Sequence, residues 1–132
     1  MITWLVIALG SALGGVTRYG VGLVAARLWG AGFPWGTLLI NIVGSFVITF
    51  YGGISLAPGP LQASAEMRAF VMVGFCGGFT TFSSFSLQTL ALLQAGEALP
   101  AALYILSSVA LCLAGAAIGY WLAANLPAFP RP

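Results

Sequence analysis

The stretch Gly74–Phe85 reads GFCGGFTTFSSF, inside a run from Ala69 to Gly96 that holds 28 residues and no charge. At ~1.5 Å per residue, a helical run of that length exceeds the ~30 Å hydrocarbon core of a bilayer. Backbone left unpaired in hydrocarbon is costly, so a spanning helix normally avoids paired glycines followed by hydroxyl residues. The pattern predicts a spanning helix that is broken at membrane depth, with an unwound stretch over 77–80. Such a break survives where protein buries it or where it lines a polar cavity or ion site. Beside it, Phe79, Phe82 and Phe85 recur every three residues, with Thr80, Thr81, Ser83, Ser84 and Ser86 among them.

The rest of the chain fits that setting. Of 132 residues, 61% are hydrophobic and 5% are charged, with a mean hydropathy of +1.07. A soluble domain carries roughly a quarter charged residues. The composition therefore implies one all-α membrane domain surrounded by the lipid bilayer. A net charge of +2 gives no footing for a nucleic-acid partner. Histidine and lysine are both missing from the sequence. Cys76 and Cys112 sit in apolar runs, form no disulfide framework and have no metal-ligand cluster beside them. They read as small buried apolar side chains. Residues Met1 to Thr17 lack the positive start of a signal peptide and read as part of a retained first span.

Charges and turn residues divide the chain into four transmembrane helices, over about 2–27, 35–56, 69–94 and 98–126. Gly30 to Pro34, Pro58-Gly59-Pro60 and Gly96-Glu97 mark the connections, and Pro127 and Pro130 follow the last span. Four spans put both termini on one side. Arg68 and Arg131 face that side, against Arg27 and the deeper Arg18 on the other. So even a balance gives the positive-inside rule little to act on. It predicts a chain that inserts in both orientations and assembles as an antiparallel, dual-topology homodimer about an axis in the membrane plane. A fixed topology set by other features is the plain alternative.

Each span carries a distinctive face. In the first, Gly10, Gly14, Arg18 and Gly22 recur every four residues. Small residues at that spacing let helix backbones approach closely. Arg18 is too deep to snorkel easily and reads as attracting an anion into a wet vestibule. The second span carries Thr37, Asn41 and Ser45 on one face, and the fourth carries Tyr104, Ser108 and Cys112. Two readings of Asn41 stand side by side, an interhelical hydrogen bond and an N–H donor lining an ion path. Tyr104 is either part of that path or an interfacial belt residue, and Ser108 either faces the path or bonds back to its own helix.

Hydroxyl and amide donors, together with the positive edges of phenylalanine rings, suit a small anion. No acidic residue stands within the spans to favour a cation. Carbonyls freed at a helix break can hold a sodium ion, and two breaks meeting on a dimer axis would supply four. Such an ion would be structural. Glu66 and Glu97 lie in loops, so no proton carrier is apparent in the interior. No catalytic set is present, so the chain does not read as an enzyme.

Three segments, GGVTRY (Gly14 to Tyr19), WGTLLINIVGSF (Trp35 to Phe46) and GFCGGFTTFSSFS (Gly74 to Ser86), resemble the signature segments of the Fluc (CrcB) fluoride channels. The resemblance extends over the whole chain. It implies an antiparallel, dual-topology homodimer with two pores in the bacterial inner membrane. It also implies passive export of fluoride from the cytoplasm, which lowers fluoride toxicity. Phe82 and Phe85 then match the rings whose edges face the ion, and Asn41 the pore asparagine. Ser83 and Ser84 fall on the hydroxyl positions between the rings. Tyr104 and Ser108 fit a polar track, and Arg18 matches a vestibule arginine. Gly77 and Thr80 match the positions whose backbone carbonyls hold a sodium ion at the two-fold axis. This chain departs from many members at Ser84, where they have threonine, at Gln88, where they have glutamate, and at Phe79, where they often have leucine. Two rival functions follow from the residues alone. A small dual-topology multidrug exporter would need a membrane-embedded acid in its first span, and none is there. A non-transporting membrane assembly subunit would use the same polar stripes only to hold helices together.

Overall fold

The computed structural model describes residues 2–56 and 61–126. Helix α1 (Ile2–Trp29) stops at Gly30, whose φ of 79° is accessible at little cost only without a side chain. Its N–H closes the helix on the Ala26 carbonyl at 3.0 Å. Helix α2 (Trp35–Leu56) follows Pro34. Helix α3 covers residues 65–79 in three sections: α-helical over Ala65–Arg68, π-helical over Ala69–Cys76 and α-helical again over Gly77–Phe79. Helix α4 (Phe82–Gln94) and helix α5 (Ala98–Ala124) complete the chain. Among the described residues there is no β-strand.

The caps explain the boundaries. Ser64 accepts a hydrogen bond from the Met67 amide at 3.2 Å and so starts α3 before the first apolar residue. The helix thus takes in Glu66 and Arg68, which the sequence places in a loop. Arg68 turns back to donate to the Ala63 carbonyl at 2.6 Å. At the end of α4, Gly96 takes φ 78°, its amide reaches the Leu93 carbonyl, and the Glu97 amide reaches the Leu92 carbonyl. That paired closure is the Schellman motif, and it makes the Gly96-Glu97 link tight.

Glycines set the two main helix contacts. Gly10 and Gly14 of α1 lie against the backbone of α3. A Cβ on Gly10 would stand 2.5 Å from the Phe70 carbonyl oxygen, and one on Gly14 would overlap the Phe75 carbonyl. From the other side, a Cβ on Gly78 would stand 2.5 Å from the Ser11 carbonyl oxygen. Helices α2 and α5 meet in the same way. A Cβ on Gly119 would stand 2.5 Å from the Phe46 carbonyl oxygen, and Thr49 donates across to the Ala116 carbonyl at 2.9 Å.

The buried interior is small, with Leu38, Leu92, Ala101 and Tyr104 at its centre. Large apolar side chains instead face outward on every long helix, Trp4, Val43, Leu87 and Leu106 among them. In water this would be unstable; in lipid those faces need no protein partner. Four helical units, Ile2–Trp29, Trp35–Leu56, Ala65–Gln94 and Ala98–Ala124, are long and apolar enough to cross a membrane. The chain is a multi-pass membrane protein. Pro58-Gly59-Pro60, Pro127, Pro130 and Arg131 lie outside the described residues.

Candidate functional site

Between α3 and α4 the chain runs extended for two residues, Thr80 (φ −79°, ψ 159°) and Thr81 (φ −157°, ψ 110°). This differs from the expected unwinding over 77–80, because Gly77 and Gly78 stay helical. Gly78 is pressed onto the backbone of Ser11, the close helix–helix approach that a small residue permits. The departure begins one residue after Phe79.

Asn41 of α2 pins the extended pair. Its Oδ1 accepts from the Thr81 amide at 2.8 Å, and its Nδ2 donates to the Thr81 carbonyl at 3.2 Å. In an unbroken helix the Thr81 amide would bond the Gly77 carbonyl. That carbonyl is thereby released from its helical donor. Gly77 is exposed, and a Cβ there would meet nothing within 4 Å. Thr80 turns its hydroxyl back to the Cys76 carbonyl at 2.9 Å, and its own carbonyl accepts from Arg18 Nη1 at 3.4 Å. Arg18 thus continues the glycine stripe of α1 up to the extended segment. The two readings of Asn41 are not exclusive, since it bonds backbone across helices and also lines a groove.

Thr81 restarts the helix. Its hydroxyl accepts from the Ser84 amide at 3.1 Å, as an N-cap does. The same hydroxyl donates to Ser84 Oγ at 3.0 Å, while Ser83 Oγ lies 3.2 Å from it. With the Thr81 proton given to Ser84, the Ser83 proton goes to Thr81. The Ser84 proton is then the one left for another acceptor. The amides of the first turn of α4 also point at the break, where a helix N-terminus favours negative charge.

Phe82 is 78% exposed and Phe85 half-buried, with ring centroids 5.3 Å apart. Phe85 lies 5.1 Å from the Tyr104 ring, and Tyr104 meets Phe33 edge-on at 5.5 Å. Tyr104 is fully buried and donates to Gln88 Oε1 at 2.9 Å, so it is not an interfacial belt residue. Ser108 is 6% exposed, and its hydroxyl has no hydrogen-bond partner. It does not bond back to its own helix. A buried hydroxyl without a partner costs about 1–3 kcal/mol, which a ligand can recover.

These residues surround an open groove of about 440 Å³ between α2, the break and α5. Asn41, Ser45, Thr80, Thr81, Phe82, Phe85 and Ser108 all line it. Of the residues the sequence points to, Asn41, Phe82, Phe85, Ser108 and Thr80 meet here, together with Gly77. Tyr104 and Gln88 stand behind Phe85. Gln88 lines a second cavity of about 430 Å³, shared with Thr37, Phe33, Trp35 and Glu97. Ser83 and Ser84 reach the groove's edge through Thr81. Arg18 approaches from behind, through the Thr80 carbonyl. No charged side chain lines the groove.

Sequence reasoning passed over Thr81 as the organising residue. Its signal was present as a hydroxyl three residues before Ser84 at the head of a helical run, the spacing of an N-cap bond. The π-helical section over Ala69–Cys76 had no such signal, because its residues are uniformly apolar.

The sequence model of the family described as CrcB-like protein, Camphor Resistance (CrcB), matches residues 5–120. A protein of Paramagnetospirillum magneticum named fluoride-specific ion channel FluC is 49% identical over 120 residues, covering 91% of this chain and 94% of that protein. One of the same name from Opitutus terrae is 46% identical over 126 residues, covering 96% of each. Another from Methylocella silvestris is 49% identical over 120 residues, covering 91% of this chain and 92% of that protein. With the match running from α1 into α5 and taking in the groove, the chain belongs to the CrcB family.

Proposed function

We propose that this chain is a passive, fluoride-selective channel that lets fluoride leave the cytoplasm across the bacterial inner membrane. The observation that carries the reading is the uncharged groove at the break, where a buried Ser108 hydroxyl has no partner. The names of relatives nearly half identical to the chain point to the same ion. Neither rival gains from this. No acid stands in α1 for an exporter, and a purely adhesive role gives no use for an open groove lined by Asn41, Ser45 and Ser108.

In this reading fluoride sheds water for donors held at short range. Asn41 keeps one N–H beyond its bond to Thr81, Ser84 and Ser108 offer hydroxyl protons, and Phe82 and Phe85 present ring edges. Ser83 supports Thr81, and Tyr104 braces Phe85. Arg18 adds positive charge behind the Thr80 carbonyl and draws anions toward the break. Larger halides fit closely spaced donors poorly. The conducting unit is an antiparallel, dual-topology homodimer. Its support is the one-sided exposure of Phe82 and Gly77, which leaves half of the path unwalled in one protomer.

The structural sodium fits the residues present. The Gly77 carbonyl has lost its helical donor to Asn41, and the Thr80 carbonyl keeps a lone pair beside the long Arg18 contact. Two such pairs, one from each protomer, would give four oxygen ligands. A bound sodium ion would supply fixed positive charge at the break, and no step of conduction passes through it.

The test is efflux from liposomes with a fluoride-selective electrode and potassium with valinomycin as the voltage clamp. Fast fluoride release that stops when the membrane potential is not dissipated is expected. Silent liposomes holding dimeric protein would overturn the reading.

A further inference from the structure

Three sulfur side chains, of Met72, Cys76 and Cys112, line the groove that holds Asn41 and Ser108. We infer that they form a binding site for a soft, thiophilic metal ion, and that a metal bound there blocks the ion path. The inference rests on the groove being that path. Neither cysteine has a role in the conduction described above, and both are free thiols.

Placement carries the argument. Met72 and Cys76 lie four apart in the π-helical section of α3, whose wider turn brings such pairs close to one face. Met72 reaches α2, where a Cβ on Gly52 would stand 3.2 Å from its Cε and 4.0 Å from its Sδ, and Cys76 lines the same groove. Cys112 approaches from α5 and lines the groove together with Ser45 of α2. The sulfurs therefore bound the groove from both sides. Cys112 is half-buried and open to the groove, while Cys76 forms its inner wall at 2% exposure. Cys112 also stands one helical turn beyond Ser108, so a metal on its sulfur covers that hydroxyl.

Soft thiolate and thioether ligands select soft metals, and the groove offers no carboxylate to hold a hard cation. Mercuric chloride enters as a neutral molecule. With two thiols it forms two Hg–S bonds, and the two S–H protons leave with the two displaced chlorides. No electron is transferred, and excess dithiothreitol takes the metal back.

The experiment is a mercuric chloride titration of fluoride efflux from proteoliposomes, each variant scaled to its own unblocked rate. Native mass spectrometry of the same protein counts bound metal. Native protein should bind one mercury per chain and lose roughly tenfold or more of its flux, with recovery on dithiothreitol. Cys112→Ser should abolish high-affinity block, Cys76→Ser should weaken it, and Met72→Leu should weaken it least. Block that persists in the double cysteine variant would overturn the inference. So would mercury bound at Cys112 without any loss of flux. If native protein conducts no fluoride, the channel reading fails, and the mercury counts of the single variants still decide the site: loss of tight binding in both Cys112→Ser and Cys76→Ser supports a shared site, and binding unchanged in Cys76→Ser overturns it.

Discussion

The contact of α1 with α3 and the groove between α2, α4 and α5 are built on opposite principles. In the first, glycine meets backbone, and every added atom collides. Gly10, Gly14 and Gly78 leave no room for a Cβ. In the second, space is kept open, and polar groups are held without being fully satisfied. Asn41 spends its amide on the Thr81 backbone, and Ser108 is left bare. The tight side acts as the frame. Because α3 cannot slide on α1, the two extended threonines are held at a fixed place relative to α1. The loose side pays in stability for what it can bind. The comparison teaches that the break is pinned from two directions, by glycine packing behind and by one asparagine in front.

The largest effect should come from filling the frame. Gly14→Val forces atoms into the Phe75 carbonyl and should cost about 3 kcal/mol or more. Thermal unfolding in detergent and the yield of monodisperse protein measure it, and a variant as stable as native would break the comparison. Next is Asn41→Ala, which leaves the Thr81 amide and carbonyl without partners in a buried place. It should lose on the order of 2 kcal/mol and, by displacing the break, cut fluoride flux by about tenfold or more. Near-native flux in folded Asn41→Ala protein would show that the pin is dispensable.

Phe82→Ile separates function from folding. The ring is 78% exposed, so the substitution should stay within about 0.5 kcal/mol of native stability. Flux should still fall by roughly tenfold, because an aliphatic side chain has no ring edge to offer. Loss of folded protein with normal flux per remaining folded molecule would contradict the assigned role. The smallest effect is Thr81→Val, which removes the cap of α4 and should cost about 1 kcal/mol, with Thr81→Ser close to native.

Much of this was legible before the structure. The four spans follow from apolar runs and the turns at Gly30 and Gly96, because membrane helices announce themselves by composition. Of the stripe Gly10, Gly14, Arg18 and Gly22, the first three share the face toward α3 and the extended pair, as helical periodicity predicts, whereas a Cβ on Gly22 would meet nothing within 4 Å. The start of α3 was missed by four residues because Ser64 capping outweighs the charges of Glu66 and Arg68. The extended pair lies later than the glycines suggest, because Gly78 packs against the Ser11 backbone and Gly77, though open on its outer side, stays helical. Asn41 was identified, but its partner could not be. A contact between residues forty apart depends on how α2 lies against the break, and no periodicity encodes that. Gln88 looked like a simple departure, yet its amide oxygen is the acceptor for Tyr104.

The central claim is that the groove passes fluoride and rejects larger halides. Its most direct test is the zero-current voltage of the reconstituted protein in a planar bilayer, with fluoride on one side and chloride on the other at equal concentration. Each tenfold of selectivity shifts that voltage by about 59 mV. The account predicts a displacement of about 100 mV or more toward the fluoride equilibrium potential. A zero-current voltage near 0 mV, with measurable current, would contradict it.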